Sequence, residues 1–447
     1  MKSDKLIYTL AFTMILSSMS ATMFNIVLPK MAAEFQLTYA QVSWVSAIYS
    51  LIYAIGSAIY SKLADLIKLK SLVTFGILFF CIGSLIGLVS GAFWMVLLGR
   101  ILQACGAAVI PAMAMIVPIR FFAERRGWAL GITATGLAIG GTIGPVVSAT
   151  LVSFAHWRWL FCLPLLLVVT LPFYRKYLND EQGKGGKLDW IGGGLLACTV
   201  AGLLLTLTFE NGLSAAMSAA ALLLFVVRIH KATSPFVNPS LFRNVDYSLG
   251  LAIAVMGVSV GYCLLLLTPQ LLADVHDLSP GLIGFIMVPG AAVSALLGRK
   301  AGKLADAKGN STLLAIASVL LFVCFSLMYL FSLGGSPVLV AVFLIFGNVG
   351  LMFFQIALSN TISRTLPNEQ TGIGMGLLSM LNFLSGAIAT GIYSKIVDHG
   401  ASFSLNPFVE EKNSYVYGNI YFVLTLAVLG IWIVYRVRFG SRTGERG

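Results

Sequence analysis

Lys62-Leu63-Ala64-Asp65 and Lys303-Leu304-Ala305-Asp306 are the same four residues, and their setting decides the fold. Each copy stands in a short basic loop between two long apolar runs. A short polar motif repeated in the same apolar setting indicates two related halves. In a membrane chain, such duplication points to a transporter.

Composition sets the solvent. Charged residues make up 10% of the 447, and the mean hydropathy is +0.92. A soluble globular chain carries about 25% charged residues, so most of this surface must meet lipid. A helix needs roughly 20 apolar residues to cross a bilayer. Fourteen such stretches fit the chain, from 6–28 at the start to 418–437 at the end. The sixth, 159–174, is short and is expected to borrow residues from its flanks.

The net charge of +12 would suit a nucleic-acid partner, but its distribution argues against one. With fourteen spans the loops alternate between two sides. One side holds only Lys30, Arg158, Lys395 and Lys412, and Arg100 lies inside a span. Every other Lys and Arg of the 29 falls on the side of the N-terminus. By the positive-inside rule that side is the cytoplasm, so both termini are expected there. An odd number of spans would scramble the bias.

The remaining inventory is bland. Cys81, Cys105, Cys162, Cys198, Cys263 and Cys324 all fall in apolar runs without metal or redox spacing, as small packing residues do. No cleavable signal is evident, and the first run is long enough to be a span. No phosphate-binding loop, metal cluster or nucleophile motif appears, so neither an enzyme nor a resident cofactor or metal is expected. No loop is long enough to hold a nucleotide-binding domain.

The repeated motif also counts helices. Its first copy lies between runs 2 and 3 and its second between runs 10 and 11, an offset of eight where two bundles of six would give six. Two helices, most simply 7 and 8, are therefore inserted between the halves. The expected organisation is a six-helix bundle at 1–174, a polar linker at 175–189, two inserted helices at 190–228, a second linker at 229–246, and a second bundle with a basic tail at 247–447. This arrangement resembles the fourteen-helix drug:proton antiporters of the major facilitator superfamily, in particular the Gram-positive tetracycline and multidrug exporters. The resemblance covers nearly the whole chain.

Four stretches carry it. Ser61-Lys62-Leu63-Ala64-Asp65 through Lys70 resembles the superfamily signature after helix 2, with Ser61 at the usual leading Gly that Gly302 keeps in the second copy. The resemblance implies gating by Asp65, Lys62, Asp306 and Lys303. Leu97-Leu98-Gly99-Arg100-Ile101-Leu102-Gln103-Ala104-Cys105-Gly106 resembles the helix 4 motif, whose Arg is linked to proton coupling. A cation inside a span is costly and normally faces a cavity or a partner. Gly136-Leu137-Ala138-Ile139-Gly140-Gly141-Thr142-Ile143-Gly144-Pro145 resembles the exporter motif of helix 5 and implies a hinge at Gly136, Gly140, Gly144 and Pro145. Thr22-Met23-Phe24-Asn25-Ile26-Val27-Leu28-Pro29 is similar to the helix 1 motif, except that the acidic residue usual before the Thr is Ser20 here.

The acidic residues depart further from the family. None of the 17 falls in the middle of an expected span, and Gly141 and Gly386 stand where tetracycline exporters carry membrane carboxylates. Candidates for proton coupling are Arg100, Asp65, Glu34, Glu210 and Asp398. Polar or aromatic groups at mid-membrane depth are the candidates for a substrate cavity: Ser20, Asn25, Gln103, Asn348, Gln355, Asn360, Asn382, Tyr49, Tyr53 and Phe353. Such a wall suits a flat lipophilic compound. Without carboxylates it favours neutral or zwitterionic compounds over strong dications. The expectation is an all-α, fourteen-helix membrane protein of a bacterial plasma membrane. It would export small-molecule drugs against protons and work as a monomer. A transporter of an endogenous metabolite, a cation/proton exchanger or an uncoupled facilitator are the alternatives, and a non-transporting receptor is remote.

Overall fold

The computed structural model describes residues 2–178, 188–209, 212–331, 336–367, 370–406 and 412–440. The described residues are almost all helical and contain no strand. Thirteen helical runs are long and apolar enough to cross a membrane, and a shorter fourteenth lies between the sixth and the eighth. In chain order the spans are Asp4–Phe35, Trp44–Leu66, Leu69–Leu88, Phe93–Phe121, Ala123–Phe154, Trp157–Tyr177, Trp190–Phe209, Gly212–Lys231, Val245–Asp274, Leu282–Lys308, Asn310–Phe331, Pro337–Thr365, Thr371–His399 and Ser414–Phe439. They are numbered 1 to 14 below. Lipid offers the backbone no hydrogen bonds, so helices that satisfy themselves are the expected solution.

Two details correct the sequence reading, and the short sixth span takes residues from its flanks as expected. Both Lys-Leu-Ala-Asp copies are the last turns of helices, at the ends of spans 2 and 10, and not loop residues. The four residues contain no Gly or Pro and propagate a helix readily. Span 1 continues past Leu28 to Phe35, so Glu34 lies in its last turn rather than after it. It does so by tightening to a 3-10 helix at Met23–Val27 before Pro29. Proline has no N–H to give the carbonyl four residues back, which makes a regular α-helix unavailable there. Span 6 extends at both ends, to Trp157 and Tyr177, and its first fourteen residues, Trp157–Thr170, are 3-10 helix. Pro164 and Pro172 interrupt its α-helical bonding.

The chain forms two compact units. Unit 1 comprises Met1–Ala123, Ile132–Arg243 and Leu366–Phe383. Unit 2 comprises Glu124–Gly131, Asn244–Thr365 and Leu384–Gly447. Spans 5 and 13 therefore each contribute their first turns to one unit and the rest to the other.

Glycines set the close approaches within unit 1. A Cβ on Gly99 would lie 2.8 Å from the Gly83 carbonyl oxygen and 3.0 Å from the Gly87 nitrogen. Spans 3 and 4 thus meet backbone to backbone, and this fixes the height and rotation of the residue after Gly99, which is Arg100. In the same way Gly136, Gly140 and Gly144 on span 5 lie against Ala11, Ile15 and Met19 with Thr22 on span 1. The Ser18 hydroxyl donates to the Leu137 carbonyl along that seam at 2.9 Å.

Candidate functional site

Arg100 is fully buried in unit 1. Its Nε donates to the Val45 carbonyl at 3.1 Å, and Nη1 donates to the Ser20 carbonyl at 3.2 Å and to Gln103 Oε1 at 3.0 Å. Gln103 sits one turn on, at i+3, so helix 4 presents both groups on one face. Gln103 in turn donates to Ser84 Oγ at 2.8 Å, and Ser84 donates to the Phe80 carbonyl at 2.8 Å. The guanidinium lies between two rings, 4.4 Å from the Phe24 centroid and 4.0 Å from that of Tyr49. Among the described residues no carboxylate forms an ion pair with it. A desolvated cation–π contact contributes about 2 kcal/mol. Two rings and three oxygen acceptors therefore take the place of a counter-ion.

Arg100 Nη2, Ser17 Oγ, Ser20 Oγ and the Tyr49 hydroxyl are buried outside the well-aligned hydrogen bonds, with both serine hydroxyls beside that of Tyr49. The aromatic wall continues outward from the cation. Tyr49 stacks on Tyr53 at 5.8 Å, and Tyr53 meets Phe383 of span 13 edge-on at 4.9 Å. Beside Phe383, Asn382 has a buried Oδ1 without a partner. The cluster is thus a cation, a row of rings and a set of buried polar groups.

The two motif copies are built differently. Asp65 Oδ1 pairs with Arg120 Nη2 of span 4 at 2.5 Å, and Arg120 Nη1 donates to the Ala64 carbonyl at 3.1 Å. The Asp65 carboxylate also lies against Gly372 in the first turn of span 13, where a Cβ would collide with it. In unit 2, Asp306 accepts main-chain N–H groups from Gly127 and Trp128, both at 2.8 Å, at the start of span 5. Lys62 is half-buried, and Lys303 is exposed.

The family model of the Major Facilitator Superfamily matches residues 10–390. The chain belongs to this superfamily. Its members are transporters, and this chain is a multi-pass membrane transporter of that fold. Among curated relatives, the riboflavin transporter RibZ of Clostridioides difficile is 26% identical, over 96% of each chain. The multidrug resistance protein Stp of Mycobacterium tuberculosis is 25% identical, over 88% of this chain and 75% of its own. The lincomycin resistance protein LmrB of Listeria innocua is 24% identical, over 85% and 83%. Among solved structures, the human organic anion transporter MFSD10 superposes with a TM-score of 0.69 at 13% identity, covering 97% of this chain and 99% of its own. A bacterial homologue of the iron transporter ferroportin, solved in an outward-facing state, gives 0.62 at 15%, covering 98% and 99%. At these identities the structures share the fold alone.

The other polar and aromatic residues singled out at mid-membrane depth scatter. Asn25 is exposed and accepts from Ser46 Oγ at 2.5 Å. Asn348 is spent on its own helix, donating to Leu344 O at 2.9 Å. Asn360 is buried in unit 2 and donates to Asn310 Oδ1 at 2.8 Å. Phe353 is buried there, while Gln355 is exposed. Asn348, Asn360, Phe353 and Gln355 belong to unit 2, and the Arg100 cluster is built within unit 1. Asp398 is exposed at the end of span 13, and Glu210 lies outside the described residues.

Glu34 gains an environment the sequence did not announce. Arg158 Nη1 lies 2.7 Å from Oε1, while Trp157 Nε1 at 2.5 Å and His156 Nε2 at 3.3 Å approach Oε2. Arg158 is itself anchored to the Ser90 carbonyl at 2.6 Å. Sequence reasoning also missed Ser17 and Phe24, although both share the helical face of Ser20 at spacings of three and four. Arg120, Gly127 and Trp128 gave no sequence signal, because their partners are 55 or more residues away.

Proposed function

We propose that this transporter exports flat, lipophilic compounds, with neutral and zwitterionic drugs preferred to strong dications, in exchange for protons and by alternating access. The observation that carries this reading is the Arg100 cluster. It supplies ring faces for stacking and buried hydroxyl groups for orientation, and its charge is positive with no carboxylate beside it. The multidrug and lincomycin resistance proteins among the relatives support drug export. Both termini are assigned to the cytoplasmic side of a bacterial plasma membrane, with a six, two and six division of the helices and a monomeric working unit.

In this reading Arg100 holds spans 1, 2 and 4 together and couples their arrangement to the cavity. Asp65 and Asp306, with Lys62 and Lys303, gate the cytoplasmic end. The glycine seam at Gly136, Gly140, Gly144 and Pro145 is the hinge. Glu34 is the candidate carboxylate at the outer mouth, and Arg158, Trp157 and His156 hold it as the anion, so proton exchange there requires that ring to open.

Proteoliposomes test the reading. Drug added outside vesicles carrying an imposed pH gradient should dissipate it, and Arg100→Ala should lower flux by tenfold or more. Flux indifferent to the gradient would remove proton exchange from the proposal. Unchanged flux in Arg100→Ala would remove the role given to Arg100.

A second reading is favoured by one observation. The riboflavin transporter matches the chain end to end, and a carboxylate-free wall of stacked rings also suits a flat neutral metabolite. Labelled riboflavin accumulating in a riboflavin-requiring host, with no change in drug susceptibility, would decide for that reading.

A further inference from the structure

A groove of about 500 Å³ runs along unit 1 between the start of span 1 and the end of span 6. Lys5, Tyr8, Thr9 and Phe12 form one wall; Val169, Thr170, Phe173 and Tyr177 form the other. The groove straddles the change of span 6 from 3-10 to α-helix after Thr170, two residues before Pro172. Its floor is closed by Tyr174, whose hydroxyl donates to Thr13 Oγ1 at 2.8 Å.

The groove is chemically polarised. The hydroxyl groups of Thr9 and Thr170 are spent on their own helices, donating to Lys5 O and Leu167 O at 2.7 Å each. The deeper walls are therefore apolar, with Phe12, Val169 and Phe173 all exposed. The other end is basic. Lys5 and Lys176 lie 6.0 and 5.9 Å from the Tyr177 ring centroid, and Arg175 is exposed beside them. Asp4 precedes Lys5 in the first turn of span 1.

We propose that this groove binds one anionic phospholipid, its acyl chain along Phe12, Val169 and Phe173 and its phosphate between Lys5 and Lys176. Both spans end here, so the cations stand at headgroup height and the apolar walls at chain height. A groove of several hundred Å³ with an apolar lining and a few charged groups at one end has the form of a ligand site. Basic residues at a membrane surface select anionic over zwitterionic headgroups, and here Lys5 lines the cleft while Lys176 stands beside the Tyr177 ring that lines it. The site is separate from the Arg100 cluster and does not depend on the substrate proposed above.

Native mass spectrometry of the full chain, titrated with phosphatidylglycerol and with phosphatidylcholine of the same acyl chains, tests this. Phosphatidylglycerol should occupy one site at least tenfold more tightly than phosphatidylcholine. The Lys5→Ala/Lys176→Ala variant should weaken phosphatidylglycerol about tenfold and leave phosphatidylcholine unchanged. Val169→Trp, which fills the groove, should weaken both lipids. Lys68→Ala/Lys308→Ala, which removes exposed cations elsewhere, should change neither. Equal affinity for the two lipids would overturn the proposal. So would phosphatidylglycerol binding unmoved by Lys5→Ala/Lys176→Ala and by Val169→Trp, or an equal loss in Lys68→Ala/Lys308→Ala.

Discussion

The same four residues end spans 2 and 10, yet their carboxylates are held by different chemistry. Asp65 has a side-chain cation, Arg120, on a neighbouring helix. Asp306 has, among the described residues, the main-chain N–H groups that open span 5. Each aspartate lies against the first turn of a helix, Asp65 at Gly372 and Asp306 at Gly127, so both use the positive end of a helix dipole. The halves even share the candidate cation. Arg120 stands in the last turn of its helix in span 4, and Arg364 in the last turn of span 12, eight spans later. Arg364 is exposed and bears on Arg126 rather than on Asp306. Duplication has preserved the residues and changed the pairing. An ion pair depends on charge, whereas a helix cap depends on an acceptor oxygen.

The largest effect should follow from breaking the ion pair. Asp65→Asn keeps the shape and removes the charge, which leaves the Arg120 guanidinium without its anion in a part-buried site. Drug export in proteoliposomes should fall tenfold or more, and Arg120→Ala should do the same. The exchanged pair, Asp65→Arg with Arg120→Asp, should recover part of the loss. If Asp65→Asn transports like the parent, the distinction between the two copies disappears.

A third carboxylate combines both kinds of partner and calibrates them. Asp189 Oδ1 accepts from Arg228 Nε and Nη2 at 3.2 and 3.0 Å and from Gly192 N at 3.1 Å, and Oδ2 accepts from Phe236 N at 3.3 Å. Burial alone would raise its pKa, but the Arg228 hydrogen bonds and charge, with the two main-chain donors, outweigh burial and hold it below the ordinary value. Its contribution to stability is therefore complete above the unfolded value of about 3.9 and is lost as pH falls through the folded one. Asp189→Asn should cost about 1.5–3 kcal/mol at neutral pH, the range for charge-assisted hydrogen bonds. Thermal unfolding in detergent should show the gap between parent and variant constant from pH 8 to 5 and closing below pH 4.

The sequence made the fold legible because lipid leaves few choices. A run of apolar residues in a chain this poor in charge has to be a helix. What it hid was where regular helix fails. Pro29 and Pro164 were visible, but how far the 3-10 geometry spreads from them depends on packing against neighbours. The Arg100 cluster was half legible. Arg100, Gln103, Ser20, Tyr49 and Tyr53 stood out as polar or aromatic groups within spans. Phe24 and Ser17 did not, since nothing but their helical face relates them to Ser20. Asn348 and Asn360 stood out equally, and their amide nitrogens are spent on Leu344 and Asn310, although Asn360 Oδ1 keeps no partner. Polarity inside a span marks a group that needs a partner; only three-dimensional structure says whether the partner is already present.

The capping aspartate should be less sensitive than the paired one, and to a different substitution. Asn is as good a helix cap as Asp because its amide oxygen accepts the same N–H groups. Asp306→Asn therefore forfeits only the charge–dipole part, about 0.3–1 kcal/mol, and export should stay within threefold of the parent. Asp306→Ala removes the acceptor as well and should cost about 1 kcal/mol, seen as a roughly fivefold fall in initial rate. The order Ala below Asn is the signature of a cap. Equal loss in both variants would mean that Asp306 acts through its charge, as Asp65 does.

The smallest effect is the one that most directly separates the halves. Arg364 occupies the place of Arg120 and makes no ion pair among the described contacts, so Arg364→Ala should change stability by no more than about 0.5 kcal/mol, as for a surface site away from special features. Export should stay close to the parent's while Arg120→Ala abolishes it. A defect in Arg364→Ala as deep as that in Arg120→Ala would require Arg364 to take up Asp306 in some other conformation of the transport cycle. Measuring Arg364→Ala in the Asp306→Asn background would then decide: an effect that vanishes there belongs to that pair, and one that persists belongs to Arg364 alone.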